Sequence, residues 1–247
     1  MDLQGKTVIV TGASSGIGEA ASRAFAAAGA NVVLAARNQE ALAALARELG
    51  HERALAVATD VTERDQVEAL VERAVERFGR LDVIVNNAGV GLRAGIADLD
   101  PDAFERLFQV NLMGPLYGMQ AAIRAMRKSG GGMIVNISSG TSRIVVPFIG
   151  GGYPALKRAL EILSDYARAE LAGDGIKVLV VLPYLTDTNF ARNALGGSGL
   201  PAPNFAAMRR NLPPAQSSEF VAQRIVEGVR NEETEISLAP QRTEGAS

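Results

Sequence analysis

The chain has 247 residues, 47% hydrophobic and 21% charged, with a formal net charge of −2. That is the balance of an ordinary globular protein, with no basic block to attract nucleic acid or an anionic membrane surface. It contains no cysteine and one histidine, His51, which excludes disulfides, thiolate metal sites and multi-histidine metal sites, and leaves a Ser-His-Asp mechanism no base but His51. A cysteine-free chain whose start, Met1 to Lys6, has no apolar stretch of signal-peptide length is expected in a reducing cytoplasm. The longest apolar run, Val178 to Leu185, is far too short to cross a bilayer.

In chain order, Thr7 to Val10 is a β-branched run that ends in the glycine-rich turn Thr11 to Gly18 and reads as a buried strand. Ile17, Ala20, Ala21, Ala24, Phe25 and Ala28 then recur at helical spacing, and Gly29 closes the helix. A strand is predicted over Val32–Ala35, a helix over Gln39–Leu49 and a third strand over Ala54–Ala58. Val67, Leu70, Val71, Ala74, Val75 and Phe78 form the clearest amphipathic stripe, ended by Gly79. A fourth strand follows at Val83–Val85, and Pro101 opens a helical region to about Lys128 with a break near Gly114-Pro115. Met133–Ile137 is a fifth strand, Tyr153–Leu171 a helix, Lys177–Leu182 a sixth strand, Glu219–Val229 a helix and Glu235–Leu238 a last strand.

The strands are continuous apolar runs that alternate with helices. This pattern predicts an α/β fold of Rossmann type: a doubly wound, seven-stranded parallel sheet with helices on both faces, in one domain over 1–247. Asn189–Ser218 holds Gly196-Gly197-Ser198-Gly199 together with Phe190, Leu195, Leu200, Phe205, Met208 and Leu212. It reads as a substrate lid, the alternative being a helical excursion packed on the body.

The turn Gly12-Ala13-Ser14-Ser15-Gly16-Ile17-Gly18 lies between a strand and a helix, the context of a phosphate site. Glycines let backbone approach a pyrophosphate, and the helix N-terminus offers free N–H groups. An NAD site usually has a carboxylate about 20 residues on, at the end of the second strand. Here the chain reads Ala35-Ala36-Arg37-Asn38. Arg37 suits a bidentate contact with a 2′-phosphate, so NADP(H) is expected over NAD(H); the plain alternative is a solvated charge. Tyr153 and Lys157 lie four apart on one face of a helix, and a nearby ammonium is expected to lower the tyrosine pKa from about 10 toward a value useful for moving a proton.

Taken in order, these motifs resemble those of the short-chain dehydrogenase/reductase family. They are Thr11-Gly12-x-x-x-Gly16-Ile17-Gly18, Asp60-Val61, Asn86-Asn87-Ala88-Gly89, Asn111, Ile137-Ser138-Ser139, Tyr153-x-x-x-Lys157, and Pro183 with Thr188. The resemblance implies a carbonyl–alcohol oxidoreductase in which Tyr153 is general acid/base and Ser139 holds the substrate oxygen. It implies that Lys157 holds the nicotinamide ribose and depresses the tyrosine pKa, and that Asn111 supports a proton relay through water. Asp60 and Val61 would meet the adenine, Asn87, Ala88 and Gly89 the ribose side, and Pro183 to Thr188 the nicotinamide. It also implies a homodimer or homotetramer, in keeping with the apolar Leu160, Ile162, Leu163, Tyr166, Ala167 and Leu171 on more than one side of their helix.

Three departures bear on the chemistry. Ser139 and Tyr153 are fourteen positions apart, one more than the family usually has, with Gly150-Gly151-Gly152 as the place of insertion. The glycines either absorb the extra residue as a bulge or let Tyr153 move away from Ser139. Pro154 predicts a helix that begins at or just before it, with Tyr153 near the cap. Tyr184 stands where the family usually has glycine, and either walls the pocket or points outward. A displaced Tyr153 would leave a cofactor-binding or scaffold protein without catalysis. Arg93, Ile144, Val145, Phe148, Tyr184, Phe190 and Leu195 are expected to line a pocket for a small, mainly apolar substrate.

Overall fold

The computed structural model describes residues 1–145, 150–188, 190, 194–195 and 214–238. The strands are β1 (Thr7–Thr11), β2 (Asn31–Ala36), β3 (Ala54–Ala58), β4 (Val83–Asn86), β5 (Gly132–Ile137), β6 (Ile176–Leu182) and β7 (Glu235–Ser237). They form one seven-stranded parallel sheet in the order β3-β2-β1-β4-β5-β6-β7. The helices are α1 (Gly16–Ala27), α2 (Gln39–Leu49), α3 (Arg64–Phe78), α4 (Pro101–Phe108), α5 (Gly114–Ser129), α6 (Gly152–Glu170) and α7 (Ser218–Asn231).

The continuous apolar strands are explained by two cores, one on each face. Val8, Val10, Val32, Leu34, Val83, Val85, Met133, Val135, Leu179 and Val181 pack with Phe25 of α1, Leu42 and Leu45 of α2, and Val221 and Ile225 of α7. The intervening Ile9, Val33, Ile84, Ile134 and Val178 face the opposite way, onto Leu70 of α3, Met119 and Ala122 of α5, and Leu160 of α6. Because strand side chains alternate between faces, a strand covered on both sides must be apolar at every position. Full burial of each such side chain contributes about 1.5–3 kcal/mol.

Local signals set the ends of the elements. The Asn38 side chain accepts from Ala41 N–H (3.1 Å) at the start of α2, and Gly79, at φ 82°, closes α3. The expected break near Gly114-Pro115 is instead a π-helical turn, Gln109–Met113, that joins α4 to α5 without interruption. Pro115 has no N–H to give the carbonyl four residues back. Just ahead of it the helix widens, and Gly114 N–H bonds to Gln109 O, five residues back.

The strand order reverses between β1 and its neighbour β4, and a crevice opens there at the C-terminal strand ends, where open α/β sheets bind ligands. Most of the predicted lid, Asn189–Ser218, lies outside the described residues, as does Phe148. Among the described residues no helix is long and apolar enough to cross a membrane.

Candidate active site

The crevice is built first by Thr11 and Asn87 at the ends of β1 and β4. Thr11 Oγ1 donates to Val85 O (3.2 Å) and accepts from the N–H groups of Asn87 (3.0 Å) and Ala88 (3.1 Å). Asn87 Nδ2 donates back to Thr11 O (2.8 Å). This clamp presses the Asn87-Ala88 backbone onto the glycine turn. A Cβ on Gly12, whose φ is +67°, would sit 2.9 Å from Ala88 Cα, and one on Gly18 would run into Gly12 O. No side chain caps α1 at Ser15, so among the described residues its first N–H groups stay open to an anion. The turn thus fits a pyrophosphate.

Around it stand the other residues expected at a cofactor. Arg37 is exposed at the end of β2, and no hydrogen bond or ion pair holds its guanidinium among the described residues. Asp60 takes the N–H (3.0 Å) and hydroxyl (2.8 Å) of Thr62 on Oδ1, forming a turn. Val61 packs against Gly114, where a Cβ would meet Val61 Cγ2 at 3.0 Å. Thr188 reaches the turn from the far side, 3.2 Å from where a Gly16 Cβ would be, while Pro183 O accepts from Gly140 N–H (2.8 Å).

Tyr153, Lys157 and Ser139 converge beyond this turn. Helix α6 starts at Gly152, so Tyr153 lies in its first turn, and Pro154 falls where a missing N–H costs no helical bond. Lys157 follows one turn later, 3% exposed, with Nζ donating to Ile137 O (2.8 Å) and lying 5.7 Å from the Tyr153 ring centroid. Ser139 lies beside the Tyr153 hydroxyl despite the longer connection, while its own Oγ is hydrogen-bonded to Thr141, 2.9 Å from Oγ1 and accepting from the N–H at 3.2 Å. Gly150 turns at φ +83° close against Ala94 O, a conformation that favours glycine, in the place expected to take up the extra residue.

The electrostatics differ from the expectation. Burial pushes the Tyr153 phenol up, the neighbouring Ser139 opposing only in part. Burial also pulls the Lys157 ammonium down to about 8. The lowering of the tyrosine expected from its lysine neighbour is therefore absent in the cofactor-free chain, because loss of water outweighs a charge held on the Ile137 carbonyl.

Asn111 is fully buried in the π-helical turn and is aimed at the same place. Its Nδ2 donates to Val90 O (2.9 Å) and Leu107 O (3.1 Å), while its Oδ1 has no partner among the described residues. A buried acceptor left open marks a place for a donor such as water. A Cβ on Gly89 would lie 2.9 Å from that Oδ1 and 3.7 Å from Lys157 Nζ, so Gly89, Asn111 and Lys157 face one small space.

The apolar wall is only partly as expected. Leu92, Leu107 and Leu156 form a small core against which Phe104, Tyr153 and Leu195 pack, and Phe190 meets the Tyr153 ring edge-on at 5.5 Å. Leu195 pairs with Gly91 (2.7 Å) and Arg93 (3.3 Å) backbone, which brings the segment after β6 over the one after β4. Tyr184 is partly buried, its ring near Gly140. Ile144 and Val145, by contrast, are 53% and 95% exposed.

Sequence reasoning missed Glu161. It is 2% exposed and takes hydrogen bonds from Ser138, Ser142, Arg143 and Arg158. Burial works to raise its pKa, yet these four partners hold the carboxyl below its usual range. An acid eight residues after Tyr153, on the stripe it shares with Lys157, was the available signal.

The model of the short chain dehydrogenase family matches residues 6–196. Among curated proteins, the chain is 34% identical over 240 residues to dehydrogenase/reductase SDR family member 7B of Bos taurus, covering 94% of this chain and 73% of that one. It is also 34% identical over 238 residues to an uncharacterized oxidoreductase of Staphylococcus aureus, covering 96% and 98%. Among solved structures, 3-ketoacyl-(acyl-carrier-protein) reductase from Brucella melitensis, complexed with NADH, superposes with a TM-score of 0.85 at 26% identity, over 96% of this chain and 97% of that one. A short-chain dehydrogenase/reductase from Burkholderia phymatum in complex with NAD gives 0.85 at 28%, over 96% and 90%.

Proposed function

Because the chain belongs to the short-chain dehydrogenase/reductase family of oxidoreductases, we propose that it interconverts a carbonyl and an alcohol with NADP(H), using Tyr153 as general acid/base. The observation that carries this reading is the convergence of Ser139, the Tyr153 ring and the buried Lys157, whose Nζ lies 5.7 Å from that ring, at one place. It also speaks against a catalytically impaired cofactor-binding protein, which would have a displaced Tyr153.

When bound, the nicotinamide supplies the hydride to the carbonyl carbon or takes it from the alcohol. In the reductive direction Ser139 Oγ holds the substrate oxygen and Tyr153 Oη gives it a proton. A phenol whose pKa burial has raised keeps that proton at neutral pH, which suits an acid waiting for a carbonyl. Lys157, with Gly89 close by, would hold the ribose hydroxyls. Its remaining charge favours the phenolate once the proton has left. Asn111 Oδ1 would hold the water through which Tyr153 regains its proton.

Gly12, Ser14, Ser15, Gly16, Ile17 and Gly18 would carry the pyrophosphate. Asp60, Val61, Asn87, Ala88, Pro183 and Thr188 would border the two nucleosides. Arg37 is the reason to expect NADP(H) although the two structural neighbours hold NADH and NAD. It is unpartnered among the described residues, and no carboxylate lies from Ala35 to Asn38. Phe190, Leu92 and Leu195 beside Tyr153 favour a small, mainly apolar substrate. Ile162 and Tyr166, 47% and 67% exposed on α6, favour a homodimer or homotetramer.

The test is steady-state turnover over a panel of ketones, aldehydes and secondary alcohols with both cofactors. Turnover with NADP(H) is expected; inactivity on every member, in protein that binds the cofactor, would sink the catalytic reading.

A further inference from the structure

We propose that Glu161 is a positioning residue. It fixes the segment bearing Ser139 against α6 and so sets the placement of Ser139 relative to Tyr153 independently of the long connection between them. The inference rests on the reading of Ser139 and Tyr153 as the pair that handles the substrate oxygen.

Tyr153, Lys157 and Glu161 are spaced at i, i+4 and i+8, one stripe of α6. The Glu161 carboxylate is buried under the segment after β5. Oε1 accepts from Ser138 Oγ (2.6 Å) and lies against Ser142 Oγ; Oε2 accepts from Arg143 Nε (3.0 Å) and Arg158 Nη1 (2.8 Å). Ser138 precedes Ser139 and Ser142 follows it, so both flanks of Ser139 converge on one carboxylate. Ser142 Oγ is also 2.6 Å from Ser139 O, and Ser138 Oγ is 3.3 Å from Lys157 O. Arg143 continues from Glu161 to Glu235 of β7 through paired bonds of 2.8 and 2.5 Å. The segment is therefore fastened to α6 and to the sheet edge together.

A buried carboxylate is costly unless its lone pairs are filled, and here the donors that fill them come chiefly from around Ser139. The alternative path from Ser139 to Tyr153 runs through fourteen positions and the Gly150 turn. A tie through one carboxylate on the tyrosine's own helix fixes the segment more directly than the connection along the chain. The extra residue is thereby kept from altering the distance between the two hydroxyls.

The test compares Glu161→Gln, Ser142→Ala and their combination with the unaltered full chain. Misplacement of about 1 Å costs on the order of a hundredfold in rate. We therefore expect kcat to fall at least about tenfold in E161Q and about threefold or more in S142A, with the NADPH dissociation constant within about twofold. The double variant should be no worse than E161Q, since both act through one tie. A readout free of turnover is the Tyr153 Cζ resonance in protein carrying ¹³C-tyrosine, assigned by its loss in Tyr153→Phe. It should move in both single variants as Ser139 shifts away from the phenol. If E161Q does not fold, S142A decides. Unchanged kcat and an unmoved resonance, with a lower melting temperature alone, would overturn the proposal in favour of a purely stabilising carboxylate. If the unaltered protein turns over no panel substrate, the functional reading fails and the resonance still decides the tie.

Discussion

Replacing Lys157 with methionine is expected to stabilise the cofactor-free protein at pH 7. Lys157 is 3% exposed, and burial pulls its ammonium from 10.5 to about 8. At about 1.4 kcal/mol for each tenfold, holding the charged form in the fold costs about 3 kcal/mol. Methionine keeps an unbranched apolar chain without charge. It leaves the Ile137 carbonyl without its 2.8 Å donor, a loss of about 1 kcal/mol. The net gain is about 2 kcal/mol, or about 5 °C in Tm for a chain of this length. The pH dependence has a definite sign. Between pH 8 and 10.5 the unfolded chain binds more protons at this site than the folded one, so the unaltered protein gains stability across that window. The variant's advantage should be full at pH 7 and nearly gone by pH 10. Denaturant unfolding of both proteins at pH 7 and pH 10, without cofactor, measures it. A variant less stable at pH 7, or an advantage that does not shrink with pH, would refute the reasoning.

Arg37→Ser should raise the NADPH dissociation constant about ten- to a hundredfold and leave NADH within about threefold, since a charge-assisted bond to a phosphate is about twice as strong as a neutral one; calorimetric titration reads both, and equal losses would remove the 2′-phosphate assignment. Gly18→Ala places a Cβ against Gly12 O and should cost about 1–3 kcal/mol in denaturant unfolding, with NADPH affinity lowered at least about tenfold as the turn opens. Asn111→Ala removes the donor to Val90 O at a cost of about 1–2 kcal/mol. It should lower kcat about tenfold or more while the cofactor dissociation constant stays put, and an unchanged kcat would remove the relay role.

The elements legible in the sequence were those with a clear helical period or a continuous apolar run. Gln39–Leu49 falls where it was expected, and Thr7–Thr11 and Val83–Asn86, buried at every position, fall within a residue of their apolar runs, because a strand covered on both faces must be apolar throughout. The π-helical turn was not legible: Pro115 marks a disturbed backbone bond but not whether the helix stops or widens. The glycine turn was readable from local spacing, but the clamp of Thr11 on Asn87 was not. The junction of Ser139 with Tyr153 was not, since a connection one residue too long can bulge or displace, and a carboxylate two turns further along α6 bears on which. The tyrosine's charge state was also out of reach, because the spacing to Lys157 reports proximity and not loss of water.

The most direct test of the catalytic centre is Tyr153→Phe in a single-turnover experiment with enzyme, NADPH and an accepted carbonyl substrate, followed by loss of nicotinamide absorbance. The phenyl ring keeps the packing against Phe190 and removes the proton carried to the substrate oxygen. Oxidation should slow by at least about a hundredfold while NADPH binds within about twofold of the unaltered protein. Oxidation at the unaltered rate, with the same cofactor affinity, would contradict Tyr153 as the acid.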